Sequence, residues 1–295
     1  LTSTNGLRNR WYNRTKNISE YNYLNLSGWS GETPSLDLDA LKTTLQIAKE
    51  KHSQGLMWEA SPAKFASLPF LMAANKNLRD NISVDSSLGE FCNNMFAAAG
   101  KTIYSLLQLW TDNEKLAGGI SNLYKMPLYF ELVKTAEQQI ANEPEIVKAR
   151  LRELKAYLHY MSLYYDWAGD QGTNAKTSKA AALCMYLAKI NKMQLVNSYY
   201  LISTISRSYA VTTSFYQQYN VANGTAYQNG NLPLITAAEV DNDFRNDLMK
   251  FSSTINKYKF ETTDAIAGRL DVAGLQVPKE INVQLAYTNG MDYYN

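Results

Sequence analysis

With 295 residues and a net charge of +2, set by 29 lysines and arginines against 27 aspartates and glutamates, the chain is long enough for two domains and has no basic face of the kind that binds nucleic acid. An apolar fraction of 45% with 19% charged residues excludes a disordered, solvating polymer. No stretch of the sequence approaches the roughly 20 apolar residues that a membrane-spanning helix needs.

Taken in chain order, "EYNYLNLSGW" alternates large side chains from Tyr21 to Leu26 and predicts a strand. "PSLDLDALKTTLQIAKEKH" follows with Pro34 and Ser35 at its start, apolar residues at helical spacing and lysines in its last turn, and predicts an amphipathic helix. "QGLMWEAS" is short and apolar, as the strands of parallel sheets are. "PAKFASLPFLMAANKNLRDN" returns to helix, with Pro69 expected to kink or break it. Strand, helix, strand, helix is the grammar of parallel βα units, and two such strands alone make a poor sheet. They are expected to pair with strands outside this stretch, and the opening at Leu1, with neither initiator methionine nor secretion signal, is expected to be a processed or truncated end.

From Asp85 the pattern changes to long helices. "SVDSSLGEFCNNMFAAAGKTIYSLLQLW" has an Asp or Ser cap and a continuous apolar stripe, and "NLYKMPLYFELVKTAEQQIAN" and "PEIVKARLRELKAYLHYMSLYYDWAG" read as the next pair. "NAKTSKAAALCMYLAKINKMQLVNSYYLIS" reads as one further helix, completing an antiparallel bundle. Beyond residue 208, "EVDNDFRNDLMKFSSTINKY" is expected to be a helix capped near Asp241, and "EINVQLAYT" a terminal strand. The domains expected are thus 1–84 for the βα units, 85–208 for the bundle and 209–295 for a tail of loop, helix and short β structure.

Cys92 and Cys184 sit in apolar helical contexts and read as buried thiols, with a disulfide as the lesser alternative. The histidines, His52 and His159, are far apart, and neither a metal cluster nor a Cys–His nucleophile pair is expected, nor any cofactor. Sequons at Asn13, Asn17, Asn25, Asn81 and Asn223 are at the level of chance matches. The 21 tyrosines are unusually many and suit half-wet grooves, sugar-binding ones included, although helix packing accounts for most of them.

The segments "GLMWEASPAKFASLPFLMAANKNL", "LGEFCNNMFAAAGKTIYSLLQLW" and "PLYFELVKTAEQQI" through "VKARLRELKAYLHYMSLYYDW" together resemble the C-terminal half of the DUF4838 proteins. These are large bacterial glycoside-hydrolase-like proteins, common in the Bacteroidota and related in layout to α-glucuronidases and hexosaminidases. The resemblance covers about residues 20 to 205. It implies a mainly α fold with an α/β start: the last βα units of a TIM-type (β/α)8 barrel, followed by an antiparallel helical domain. It further implies a periplasmic or cell-surface location, carbohydrate as ligand, and a missing N-terminal barrel part or a partner chain.

In such a barrel the chemistry sits at the carboxyl ends of the strands. Glu59, after "LMW", and Glu32, in "GWSGETP", would be the carboxyl groups for two-carboxylate glycoside hydrolysis. Trp29 and Trp58, and after them Tyr21 and Tyr23, would form a platform for a sugar ring. The plain alternatives are that Glu32 caps the helix starting near Pro34, that Glu59 makes a structural ion pair, and that both tryptophans pack at a barrel rim. Asp166, Trp167 and Asp170, at the end of "YYDWAGDQG", and the charges of "VKARLRELK" read as solvated surface. Two functions stay open: part of a glycoside hydrolase, or a non-catalytic glycan-binding or assembly subunit of a glycan-uptake complex.

Overall fold

The structure is a computed structural model that describes residues 10–15, 17–24, 31–34, 37–60, 63–111, 125–169, 173–208 and 234–251. Strand β1 (Ser19–Leu24) and strand β2 (Gly55–Ala60) pair in parallel, with Ser19 opposite Gly55, Tyr21 opposite Met57 and Tyr23 opposite Glu59. Helix α1 (Leu38–Glu50) is the crossover between them. It starts three residues later than Ser35 because the Asp37 carboxylate accepts a hydrogen bond from the Ala40 N–H, 2.8 Å away. That is a complete N-cap.

Helix α2 (Leu68–Asp80) carries Pro69 in its first turn, where a missing N–H costs nothing, so the proline marks a start rather than a kink. It ends at Asn81, which is left-handed at φ 55° and accepts a hydrogen bond from Lys49 Nζ at 2.8 Å. Helix α3 (Val84–Phe96) is capped by Ser83. The single long helix expected here is broken at Ala97–Ala99, a short 3₁₀ turn, before α4 (Gly100–Thr111). The corner is tight: a Cβ at Gly100 would lie 2.7 Å from the Asn93 Cα. Glycine therefore lets the two backbones meet, and Ala97 takes a left-handed φ of 46° to make the turn.

Helix α5 (Met126–Gln139) lies within its expected segment and stops three residues short of its end, and α6 (Glu145–Ala168) matches its expected extent, ending at Gly169. The segment read as one helix from Asn174 divides into α7 (Thr173–Ile190), a 3₁₀ turn (Asn191–Met193) and α8 (Ser198–Ser208). The left-handed Gln194 separates them. Helix α9, residues 237–251, begins earlier than Asp241. Thr236 Oγ1 accepts from the Glu239 N–H and the Glu239 carboxylate accepts from the Thr236 N–H, a reciprocal capping box. The terminal strand expected at "EINVQLAYT" lies outside the described residues.

One hydrophobic core runs from Leu41 and Leu45 of α1 to Phe244 and Phe251 of α9. Its centre is aromatic: Phe65, Trp110, Tyr129 and Tyr157 meet with ring centroids 5.6 to 6.2 Å apart. Both cysteines are buried free thiols. Among the described residues no helix is long and apolar enough to cross a membrane.

Candidate functional site

Strand β2 decides which side chains can share a site, because successive residues of a strand point to opposite faces. Leu56, Trp58 and Ala60 pack against the helical core, whereas Met57 and Glu59 are exposed on the other face. Tyr21 of β1 lies on that outer face too, 51% exposed, and its hydroxyl donates to the Glu59 carboxylate. The structure therefore brings Tyr21 and Glu59 together, one residue short of the end of β2. It sends Trp58 to the opposite side. Tyr23 is placed through its backbone, opposite Glu59, and Trp29 lies outside the described residues.

Glu32 has a different environment. It is fully buried, in a turn where Gly31 and Glu32 both adopt φ of 60°. The Tyr160 hydroxyl donates to the Gly31 carbonyl, and the Tyr157 hydroxyl to the Glu32 carbonyl at 2.6 Å. Burial pushes both phenols well above their ordinary range, and the negative charge of Glu32 adds to it, so both stay neutral donors. The carboxylate of Glu32 accepts the Asn197 N–H at 2.6 Å. Asn197 is itself the N-cap of α8, its side-chain oxygen accepting the Tyr200 N–H at 3.1 Å. Glu32 thus caps α8: it takes the N-cap's own N–H, the position that a glutamate three residues further on fills in a local capping box.

The charged run "VKARLRELK" is less solvated than its alternation implies. Arg150 donates to the carbonyls of Asn94 and Met95 at the end of α3, and Lys64 pairs with Glu153 at 2.6 Å. Lys155 is 3% exposed and bridges Glu137 of α5, at 2.5 Å, and Asp241 of α9, at 2.8 Å. Asp166 likewise pairs with Lys250, at 2.6 Å.

A further polar cluster, not anticipated from sequence, lies where α6, α7 and α9 meet. His159 Nδ1 is 2.7 Å from an Asp247 oxygen and its Nε2 is 3.9 Å from Asp243, while the Ser162 hydroxyl donates to Asp247 at 3.2 Å. The Tyr186 ring meets the imidazole edge-on at 4.6 Å. Burial is the main cause that holds the Asp243 carboxyl above the usual range. Because the serine donates to the aspartate and not to the imidazole, the cluster does not activate a nucleophile. It ties α9 to α6. The sequence signal was the i, i+4 pair of aspartates in "DNDFRND". Among the described residues no group of histidine, cysteine and carboxylate side chains is placed to hold a metal ion.

By fold, then, the protein is mainly helical, with a parallel βα start packed on the same core. In comparisons with known proteins, no family model matches the chain, and neither a curated protein nor a solved structure does.

Proposed function

We propose that the chain is part of a glycoside-hydrolase-like protein that acts on or binds a complex polysaccharide at the bacterial cell surface or in the periplasm. On this reading β1, α1 and β2 belong to a (β/α)8 barrel of the DUF4838 type and Glu59 faces its lumen. The supporting observation is the asymmetry of the sheet. Among the described residues helices cover the Trp58 face, and the other face presents Tyr21, Met57 and Glu59 as exposed side chains, which is the face that lines the interior when helices ring a barrel.

The burial of Glu32 favours a second reading, a non-catalytic glycan-binding or assembly subunit, because the loop after β1 then supplies no second carboxyl group to substrate. The test is a panel of soluble polysaccharides, with reducing ends measured for cleavage and gel-mobility retardation for binding, on the wild type, Glu59→Gln and Tyr21→Phe. The hydrolase reading expects cleavage that falls by about 10²-fold or more in Glu59→Gln while retardation persists. The binding reading expects retardation without cleavage, weakened by both substitutions. Absence of both overturns the carbohydrate assignment.

A further inference from the structure

The outer face of the two-stranded sheet carries its charge in one place. Alternation puts Ser19 and Tyr21 of β1 and Met57 and Glu59 of β2 on that side, all four exposed. The Glu59 carboxylate is the one charge among these side chains. It accepts the Tyr21 hydroxyl and makes no ion pair among the described residues. Partly exposed acids on the helices do find cations: Glu153 meets Lys64, Asp166 meets Lys250 and Glu239 meets Lys189.

The surroundings of Glu59 are apolar but open. Tyr21 is 51% exposed and Met57, opposite it in the register, is 64% exposed. A carboxylate, the electron-rich face of a ring and a polarisable thioether thus stand together with no cation between them. An ammonium group is attracted both by the carboxylate and by the ring face. The C–H face of a sugar ring lies well against an aromatic ring and an adaptable methionine. A uronic acid or a sulfated sugar would instead set its own charge against an unpaired carboxylate.

The charge of the whole chain sharpens this contrast. At a net +2 the chain repels polycations and attracts polyanions. Preference for a cationic glycan would therefore have to come from a local site.

We propose, on the reading of this face as a glycan site, that it selects polysaccharides with free amino groups, polymers of 2-amino-2-deoxy sugars, the ammonium meeting Glu59 and the ring lying against Tyr21 and Met57. The test is calorimetric titration of the full chain at about pH 5.5, where an exposed carboxyl is ionised and a sugar amine is protonated. The ligands are β-linked glucosamine oligomers, the same oligomers N-acetylated, and oligogalacturonate, with the Met57 methyl followed by NMR as the local reporter. The amino oligomer is expected to bind about fivefold more tightly than its N-acetylated form, and oligogalacturonate to leave the Met57 methyl unmoved. The preference should shrink as salt rises, because the pair is exposed. Glu59→Gln keeps an acceptor for the Tyr21 hydroxyl and should bring the amino oligomer to the affinity of the N-acetylated one. Met57→Lys, at an exposed position, should turn the preference towards oligogalacturonate. Equal affinity for the amino and N-acetylated oligomers, tighter binding of oligogalacturonate by the wild type, or an amino preference that survives in Glu59→Gln would each overturn the proposal. If other polysaccharides still retard the protein in those cases, the carbohydrate reading stands without it; if no glycan of any charge binds, both fall.

Discussion

Glu32→Ala is the substitution that most directly separates an anchor from an acid. The fully buried carboxylate accepts the Asn197 N–H at 2.6 Å, at the N-terminus of α8. A hydrogen bond to a charged acceptor is worth about 1.5–3 kcal/mol, and charge at a helix N-terminus adds up to about 2 kcal/mol in partly buried sites. The two overlap, and about 3 kcal/mol is the expected loss, a shift of roughly 10²-fold in the unfolding equilibrium. Glutamine keeps an acceptor of the same shape and should cost about 1 kcal/mol. Glycine loses the carboxylate but relieves the left-handed φ of 60°, worth about 1–2 kcal/mol, so Glu32→Gly should fall between the two. The assay is urea unfolding followed by circular dichroism, with amide exchange at Asn197 as the local readout. An alanine variant within about 0.5 kcal/mol of wild type, or a glycine variant less stable than alanine, refutes the anchor and the turn geometry respectively.

Three further expectations rest on separate groups. The Glu239 carboxyl is held down to about 2 by the Thr236 N–H, Lys189 and the Thr236 hydroxyl; a carboxyl lowered on folding contributes stability above its unfolded value and loses it as pH falls, so the start of α9 should fray between about pH 4.5 and pH 2. Carboxyl-carbon NMR titration of Glu239 checks this, and Thr236→Ala should return its midpoint towards the ordinary range. Burial pushes the Cys92 and Cys184 thiols up to about 12, so neither should react with a disulfide reagent in the native protein and both should react in denaturant. Ala97→Gly should stabilise by about 1 kcal/mol in thermal or urea unfolding, because φ 46° with ψ −117° is backbone that glycine adopts without strain; a loss of stability would mean that the α3–α4 corner is not so drawn.

The helices were legible where their period was carried by large apolar residues. Helix α6 shows this best: Val147, Leu151, Leu154, Leu158 and Met161 mark its buried face, and proline and glycine mark its ends. Boundaries set by backbone geometry were harder. The break between α3 and α4 turns on Ala97 and Gly100, small residues that also suit a continuous helix, and only the approach to Asn93 requires the turn. The capping box at Thr236 was written locally, in "TAAE", while the more numerous aspartates downstream drew attention to Asp241. Lys155 sits in a run of alternating charge that reads as surface, and its burial depends on Glu137 and Asp241, acids on two other helices. Local periodicity holds no information about such partners, nor about the 165 residues that separate Glu32 from Asn197.

The two βα units show why a shared motif need not have a shared role. Each puts a tryptophan close to a glutamate, yet the first glutamate lies in a turn gripped by Tyr157 and Tyr160 of α6, and the second lies within a strand. In a turn, the neighbouring body of the protein decides where the carboxylate goes; in a strand, the pleat does. Adjacent positions in a strand diverge, so Trp58 and Glu59 cannot serve one ligand, whereas residues two apart or across the ladder can. On the proposed reading the ring that meets a sugar beside Glu59 is that of Tyr21, and Trp58 is a packing residue. Trp58→Phe should accordingly lower stability by about 1 kcal/mol or more and leave glycan retardation unchanged, whereas Tyr21→Ala should do the reverse; the opposite outcome would place the ligand on the helical side of the sheet.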